Sequence, residues 1–208
     1  MRNRRKTYTN DVLENSRFIT KEPQPDKWVS PIHLEIGTGK GSFIKGMSEK
    51  YPNINFVGIE KEREIIVMAA RLLESSEKEQ KNVKLIHGSA TDLFKYFSVG
   101  QISRIYLNFS DPWPKTRNAK RRLTHRTFLD NYKKILKEEG EVHFKTDNMD
   151  LFDFSLLEFK EMSWEQIYNT RDLHKEEFHT SGENITTEYE KRFSDMGQPI
   201  YRACFKKP

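Results

Sequence analysis

The chain has 208 residues, of which 35% are hydrophobic, and this supports one sizeable domain but not two. A formal net charge of +5 favours an anionic partner, and the single cysteine, Cys204, excludes an internal disulfide and indicates the reducing cytoplasm. The histidines and the cysteine show no metal-ligand spacing, and no apolar run approaches the roughly 18 to 20 residues of a membrane span. We therefore expect neither a metal nor a membrane partner.

Apolar runs and helical patterns alternate along the chain in the βαβ manner, which predicts an α/β fold with a mostly parallel sheet and helices on both faces. Strands are predicted over residues 32–36, 54–60, 83–87, 102–109 and 140–145, with a late antiparallel strand over 199–205. Helices are predicted over 42–50, 62–74, 93–97, 123–137 and 152–159, the fourth with Thr124 as its N-cap. The polar stretch 170–184 breaks the periodicity, and we interpret it as a long functional or mobile loop.

The glycine-rich segment 35–41, Glu-Ile-Gly-Thr-Gly-Lys-Gly, ends the first predicted strand and opens the first helix. Such a turn lets a nucleotide-like ligand approach the backbone. A Walker A loop fails because Gly41 follows Lys40, and a dinucleotide fingerprint fails because Ser42 stands where its third glycine belongs. Glu60 ends the second strand, where it can accept hydrogen bonds from ribose hydroxyls. The alternative is that Glu35 and Glu60 are ordinary strand-end acids.

The segment Ser110-Asp111-Pro112-Trp113-Pro114 follows the fourth predicted strand. Its prolines restrict the backbone on both sides of Trp113, so Asp111 and Trp113 stand in a stiff turn. Open α/β sheets bind ligands beyond the ends of their strands, so this turn is a candidate for chemistry. Trp113 either stacks on an extruded base or packs the turn, whereas Tyr106 and Phe109 are predicted to be core residues.

Positive charge is concentrated in two places. The first is the N-terminus, where a basic extension over residues 1–29 precedes a single domain over residues 30–208; a solvated tail is an equally good interpretation. Its cations are Arg2, Arg4, Arg5 and Lys6. The second is the segment after Pro114, where five cations crowd into eight residues, a density that favours phosphates over packing. They are Lys115, Arg117, Lys120, Arg121 and Arg122. An enzyme that acts on nucleic acid is the interpretation that these features favour.

Four segments, in order, resemble motifs of the bacterial tRNA (guanine-N7-)-methyltransferase family. They are residues 35–41, residues 109–115 with 120–123, residues 144–148 and residues 187–193. The resemblance spans nearly the whole chain. It implies a Rossmann-like class I fold, S-adenosyl-L-methionine as the methyl donor, and methyl transfer to N7 of guanosine 46 in the variable loop of tRNA.

The resemblance also implies roles for individual residues. The implied donor-binding residues are Glu35, Gly37, Gly39, Gly41, Glu60, Ser89, Ala90 and Asp111, the last also being the catalytic acid. The implied substrate residues are Lys115, Asp147, Thr187, Glu188, Tyr189 and Glu190, with Arg117, Lys120, Arg121 and Arg122 contacting the RNA. The chain departs from the family at Asn118, where a histidine is usual, and at Ser89, where an acid is common. Asp92 is an alternative partner for the adenine, although we interpret it as the N-cap of helix 93–97.

Two alternatives stay open from the sequence. An acid followed by Pro-Trp-Pro loosely resembles the turn of enzymes that methylate exocyclic amines. A non-catalytic RNA-binding protein with this fold would also carry the basic loops, and it would not need an acid at position 89, which is serine in this chain. The intact glycine turn and Asp111 favour an enzyme, and the sequence leaves open whether it is a monomer or a homodimer.

Overall fold

The computed structural model describes residues 2–20, 29 and 31–208, with only the backbone described for residues 2–8. Within these residues, seven strands form one sheet in the order β3-β2-β1-β4-β5-β7-β6. They are β1 Ile32–Ile36, β2 Asn55–Glu60, β3 Val83–His87, β4 Ile102–Asn108, β5 Leu136–Thr146, β6 Glu165–Thr170 and β7 Tyr201–Lys206. Strands β1 to β5 pair in parallel, whereas β7 is antiparallel to both β5 and β6. The predicted mostly parallel sheet with a late antiparallel strand is confirmed.

Helices cover both faces of the sheet. Those described are α1 Arg2–Asn15, α2 Ser42–Lys50, α3 Arg63–Glu74, α4 Leu93–Tyr96, α5 Arg126–Ile135, α6 Met149–Glu161, α7 Glu177–Thr180 and α8 Glu188–Asp195. On one face, Leu129 of α5 and Phe152 of α6 join a buried cluster with Phe144 of β5. On the other, Ile44 of α2 and Ile66 of α3 join a second buried cluster. Each such side chain contributes about 1.5 to 3 kcal/mol when fully buried, so both faces hold the helices firmly.

The predicted start of α5 was wrong. Thr124 is fully buried and accepts a hydrogen bond from Ser155 Oγ of α6 at 2.7 Å, so it does not cap the helix. His125 is the N-cap, and its Nδ1 accepts from Thr127 N at 3.3 Å. The chain then passes from α5 into β5 at Leu136 without a loop, and both Ile135 and Leu136 are buried. Apolar periodicity cannot locate a boundary between two buried elements.

The segment over residues 170–184, predicted to be a long functional or mobile loop, contains short regular elements that its sequence pattern does not indicate. Strand β6 ends at Thr170, a 3-10 turn covers Leu173–Lys175 and α7 follows. Most side chains of β6 are exposed because it is an edge strand, so the apolar alternation that marks a half-buried strand is missing. Leu173 is fully buried and anchors the segment to the domain.

The first residues pack on the domain. Val12 of α1 and Phe18 are buried in the cluster that contains α2 and α3. Leu85 of β3 donates its N–H to Phe18 O at 2.7 Å, and Thr20 N donates to Leu85 O at 2.8 Å, so this segment covers the outer edge of β3. The division at residues 29 and 30 stays a prediction, and the side chains of the N-terminal basic cluster lie outside the described residues. None of the described helices combines the length and the apolar character that crossing a membrane requires.

Candidate active site

A cavity of about 760 Å³ opens where β1 stands between β2 and β4. The β1–β2 connection packs on one face of the sheet through α2, whereas the β3–β4 connection packs on the other through α4. The carboxyl ends of the strands therefore diverge around a crevice here. The turn after β1, the ends of β2 and β4, the segment after β3 and the start of α8 line it. Its volume is within the range of small-molecule sites.

The glycine turn forms one side of this cavity. Gly39 has φ of 56°, and a Cβ added there would meet no atom within 4 Å, so the backbone faces open space in the cavity. Gly41 has φ of 85°, and a Cβ added there would lie 2.9 Å from the Cβ of Ala69. Gly37 and Gly39 line the cavity, whereas Gly41 is absent from the lining and holds the turn against α3.

Two acids hold the glycine turn in place. Glu60 accepts from Gly39 N at 3.1 Å and from Glu62 N at 2.9 Å. Glu35 accepts from Thr38 Oγ1 at 2.6 Å and from Asn108 Nδ2 at 2.9 Å. Burial raises the pKa of Glu35 to about 7, despite the lowering effect of those two hydrogen bonds. Both acids therefore lie at the cavity, and sequence reasoning missed Asn108, whose only signal is its place at the end of β4.

The turn after β4 forms the opposite side. Phe109 and Trp113 have φ of 52° and 42°, a region that bulky residues rarely adopt and that costs of order 1 to 3 kcal/mol at each. Arg122 donates to Pro112 O at 3.0 Å and to Trp113 O at 3.1 Å, which holds the turn in this shape. Asp111 is exposed and lines the cavity. Phe109 also lines it, so its predicted place in the core was wrong, because β4 ends at Asn108.

The start of α8 closes the cavity from a third side. Thr187 caps α8, since its Oγ1 accepts from Glu190 N at 2.9 Å, and Thr187, Glu188 and Tyr189 all line the cavity. The Tyr189 ring stacks on Phe109 with centroids 6.5 Å apart. Lys40 of the glycine turn donates to Glu188 at 2.8 Å, so an ion pair joins two sides of the cavity.

Glu190 is not among the residues that line the cavity, and its predicted contact with substrate stays a prediction. It is fully buried and accepts from Lys145 Nζ at 2.7 Å, with Asn184 and His174 also in contact. Burial would raise the pKa of Glu190, but Lys145 and these hydrogen bonds lower it, so the carboxylate stays charged. His174, His179 and Glu190 offer possible metal-ligand atoms within 4.8 Å of one another. Because Lys145 already neutralises Glu190, a cation would gain little there.

The basic segment divides between the cavity and the surface. Lys120 and Arg121 line the cavity, and the Arg121 guanidinium lies 4.7 Å from the centroid of Trp113. Lys115 and Arg117 are exposed outside the lining. Arg122 stabilises the turn after β4 through its two hydrogen bonds to carbonyl oxygens. Its predicted contact with phosphate stays a prediction.

The remaining predicted residues lie in the segment after β3 and in the segment after β5. Ser89 and Ala90 line the cavity, and Ser89 Oγ accepts from Thr91 N at 3.2 Å. Asp92 is not among the lining residues and pairs with Lys95 at 2.8 Å. It is the N-cap residue of α4, as predicted, although its carboxylate makes no hydrogen bond to the helix backbone. Asp147 is half-buried outside the lining, and burial raises its pKa.

A sheet of this strand order, with an acid-flanked glycine turn at its crevice, has the Rossmann-like fold of class I methyltransferases. Solved structures agree on the fold. An antibiotic-related methyltransferase has a TM-score of 0.63 at 16% identity over 95% of this chain and 94% of that chain. A 30S ribosomal A1408 methyltransferase from an uncultured bacterium has a TM-score of 0.58 at 16% identity over 96% and 94%.

Sequence comparisons give the family. Residues 29–203 match the family model described as "Putative methyltransferase". The chain is 46% identical to a tRNA (guanine-N(7)-)-methyltransferase of Bacillus cytotoxicus, over 97% of this chain and 95% of the relative. It is 45% identical to the protein of that name from Bacillus subtilis, over 98% and 97%. At such identity over nearly full length, the chain belongs to the bacterial tRNA (guanine-N7-)-methyltransferase family. The predicted family, fold class and S-adenosyl-L-methionine donor are confirmed.

Proposed function

We propose that the chain methylates tRNA at N7 of guanosine 46 in the variable loop, with S-adenosyl-L-methionine as the donor. The observation that carries this proposal is that one cavity joins the glycine turn and Glu60 to Asp111, Lys120 and Arg121. The names of the relatives support N7 of guanine in tRNA. Methylation at position 46 is supported by the motif resemblance. Because tRNA is the proposed substrate, we propose that the enzyme acts in the cytoplasm. We propose a monomer or a homodimer as its oligomeric state.

The cavity fits the donor. Gly39 leaves the backbone open, the Glu60 carboxylate can accept from ribose hydroxyls, and Ser89 and Ala90 line the side next to β3. Ser110 Oγ is buried at the cavity and has no hydrogen-bond partner within the part of the chain that the structure describes. A polar ligand would satisfy it. When bound, the donor supplies a methyl group activated by a sulfonium.

Guanine N7 carries an exposed lone pair and no proton, so its methylation needs no general base. The chain's residues can therefore act by orienting the base and by electrostatic stabilisation. Positive charge passes to the base during transfer, which favours carboxylates beside it. Asp111 is placed for this role, and it can also accept from N1–H and the exocyclic amine to fix the base. Glu188 is the second cavity acid on this side, although Lys40 pairs with it.

The tRNA side combines cations with aromatic rings. Lys120 and Arg121 line the cavity, and the exposed Lys115 and Arg117 continue the positive charge along the surface. Cations of this kind bind phosphates without regard to sequence. Trp113, Phe109 and Tyr189 lie at the cavity and can stack on a base turned out of the tRNA.

The test uses unmodified tRNA and a labelled methyl donor, followed by digestion to nucleosides. We expect N7-methylguanosine, and its loss when the transcript carries adenosine at position 46. N²-methylguanosine would instead support an enzyme of exocyclic amines. Binding of tRNA without any labelled nucleoside would support the non-catalytic alternative.

A further inference from the structure

A second cavity, of about 180 Å³, lies over β4, β5 and β7. It shares Phe43 and Asn108 with the first cavity, but its character differs because charged and imidazole side chains of the sheet form its floor. These include Arg104 of β4, His143 and Lys145 of β5, and Arg202 of β7. The proposed methyl transfer uses none of them.

Arg202 is the informative residue of this second cavity. It is 9% exposed, and no carboxylate lies within ion-pair distance among the side chains that the structure describes. The guanidinium carbon lies 4.0 Å from the Phe178 ring centroid and 4.8 Å from that of Tyr168. These rings hold the guanidinium in place but leave its charge without a counterion.

The register of the sheet adds a second cation. Lys145 lies directly opposite Arg202 in the antiparallel β5–β7 pair, and like charges in this position repel. Lys145 is neutralised by Glu190 at 2.7 Å. Arg202 has no equivalent partner, so an anion is missing from this end of the cavity.

Arg104 also lines this cavity. One guanidinium nitrogen pairs with Glu141 at 2.7 Å, whereas Nε is buried without a hydrogen-bond partner in the described part of the chain. Burial, with the nearby charges of Arg104 and Arg202, lowers the pKa of His143 to about 4, so this ring is neutral and adds no cation. Glu183 is the acid of the lining, and it is exposed at the rim.

We propose that the second cavity is a binding site for a phosphate group, held by the Arg202 guanidinium, with Arg104 as a further cation of the lining. A guanidinium fork matches the geometry of phosphate oxygens, and the cavity volume accommodates one such group. The group is either free inorganic phosphate or a phosphodiester of bound RNA. The inference does not depend on the proposed function, because phosphate binding is measured without donor or tRNA.

Thermal unfolding of the full chain tests the site, with inorganic phosphate replacing chloride at constant ionic strength. Wild type should show a Tm that rises with the logarithm of the phosphate concentration above the Kd, by about 3 to 6 °C at ten times the Kd. Arg202→Gln should lose this rise and keep only the general salt effect of phosphate. Arg17→Gln is the matched control, because Arg17 is exposed near the opposite edge of the sheet, and it should behave as wild type.

Arg202→Lys keeps the charge without the fork, and it is the variant to use if Arg202→Gln does not fold. It should bind phosphate at least several-fold more weakly than wild type. An equal rise in Tm in wild type and in Arg202→Gln or Arg202→Lys would overturn the proposal, and so would no rise in wild type.

A second titration identifies the source of the phosphate group. The affinity for tRNA is measured at constant ionic strength with and without saturating phosphate, in wild type and in Arg202→Lys. Competition that weakens in Arg202→Lys supports the site as one for an RNA phosphodiester. An unchanged tRNA affinity beside saturable phosphate binding supports it as one for free phosphate.

Discussion

Two of the three sides of the first cavity are built in different ways. The donor wall, made of Gly37, Gly39 and Glu60, is held by hydrogen bonds between the ends of neighbouring strands; that from Gly39 to Glu60 spans 21 positions. The α8 wall, made of Thr187, Glu188 and Tyr189, depends on the contact of Glu190 with Lys145 across 45 positions. We conclude that the donor wall should survive damage to the α8 wall, and that the buried ion pair is the point at which the α8 wall fails.

The largest effect is expected for Glu190→Gln, which leaves Lys145 buried without a counter-charge. Their side chains are 0% and 6% exposed, so the free energy of unfolding should fall by about 3 to 5 kcal/mol, measured by urea titration. The folded fraction should keep its donor affinity.

Lys191→Gln on the same helix is the control. The Lys191–Asp195 pair is exposed, so its loss should change stability by less than about 1 kcal/mol. Equal, small effects of the two substitutions would contradict the role of the buried pair. The double variant Lys145→Met with Glu190→Leu should recover part of the loss, because neither charge then remains buried.

Glu60→Ala tests the role of the donor wall. It removes the acceptor for ribose and frees Gly39 N, so we expect donor affinity to fall by about 1.5 to 3 kcal/mol, or roughly 10- to 150-fold. Calorimetric titration with S-adenosyl-L-methionine measures this change. Glu64→Ala, at an exposed position of α3, should bind as wild type. Unchanged affinity in Glu60→Ala would show that the donor lies elsewhere.

Neutralising Lys120 and Arg121 together separates the residues that bind RNA from those that bind the donor. If both contact phosphates, binding of tRNA should weaken and the slope of log affinity against log salt should flatten by roughly one to two units. Donor affinity should stay the same. Lys78→Gln with Lys81→Gln removes equal charge from exposed positions before β3 and should leave the slope as it is. Equal slopes in the two double variants would refute the RNA assignment.

The smallest effect is expected at Ser89, which lines the cavity where the family commonly has an acid. A charged acceptor forms a stronger hydrogen bond than a hydroxyl, so Ser89→Asp should tighten donor binding several-fold, by roughly 1 kcal/mol. Asp92→Ala should leave donor binding unchanged, because Asp92 pairs with Lys95 instead. No gain from the first substitution together with a large loss from the second would reverse the assignment.

The two walls also differ in how far the sequence predicts them. Segment 35–41 and Glu60 could be placed because a glycine turn and the end of a strand are local patterns. The burial of Glu190 could not be predicted, because no local pattern in the sequence indicates that Lys145 lies beneath α8. Phe109 was misplaced by one residue at the end of β4, which moved it from the core to the cavity. Edge strand β6 was missed because its side chains are mostly exposed.

Single-turnover methyl transfer by Asp111→Asn, at saturating donor and tRNA, tests most directly the claim that Asp111 is the catalytic acid of this cavity. Loss of one preorganised charge beside the developing cation should slow transfer by roughly 100- to 1,000-fold, with circular dichroism unchanged. Asp130→Asn, at an exposed position of α5, should react as wild type. A rate for Asp111→Asn within about twofold of wild type would contradict the account.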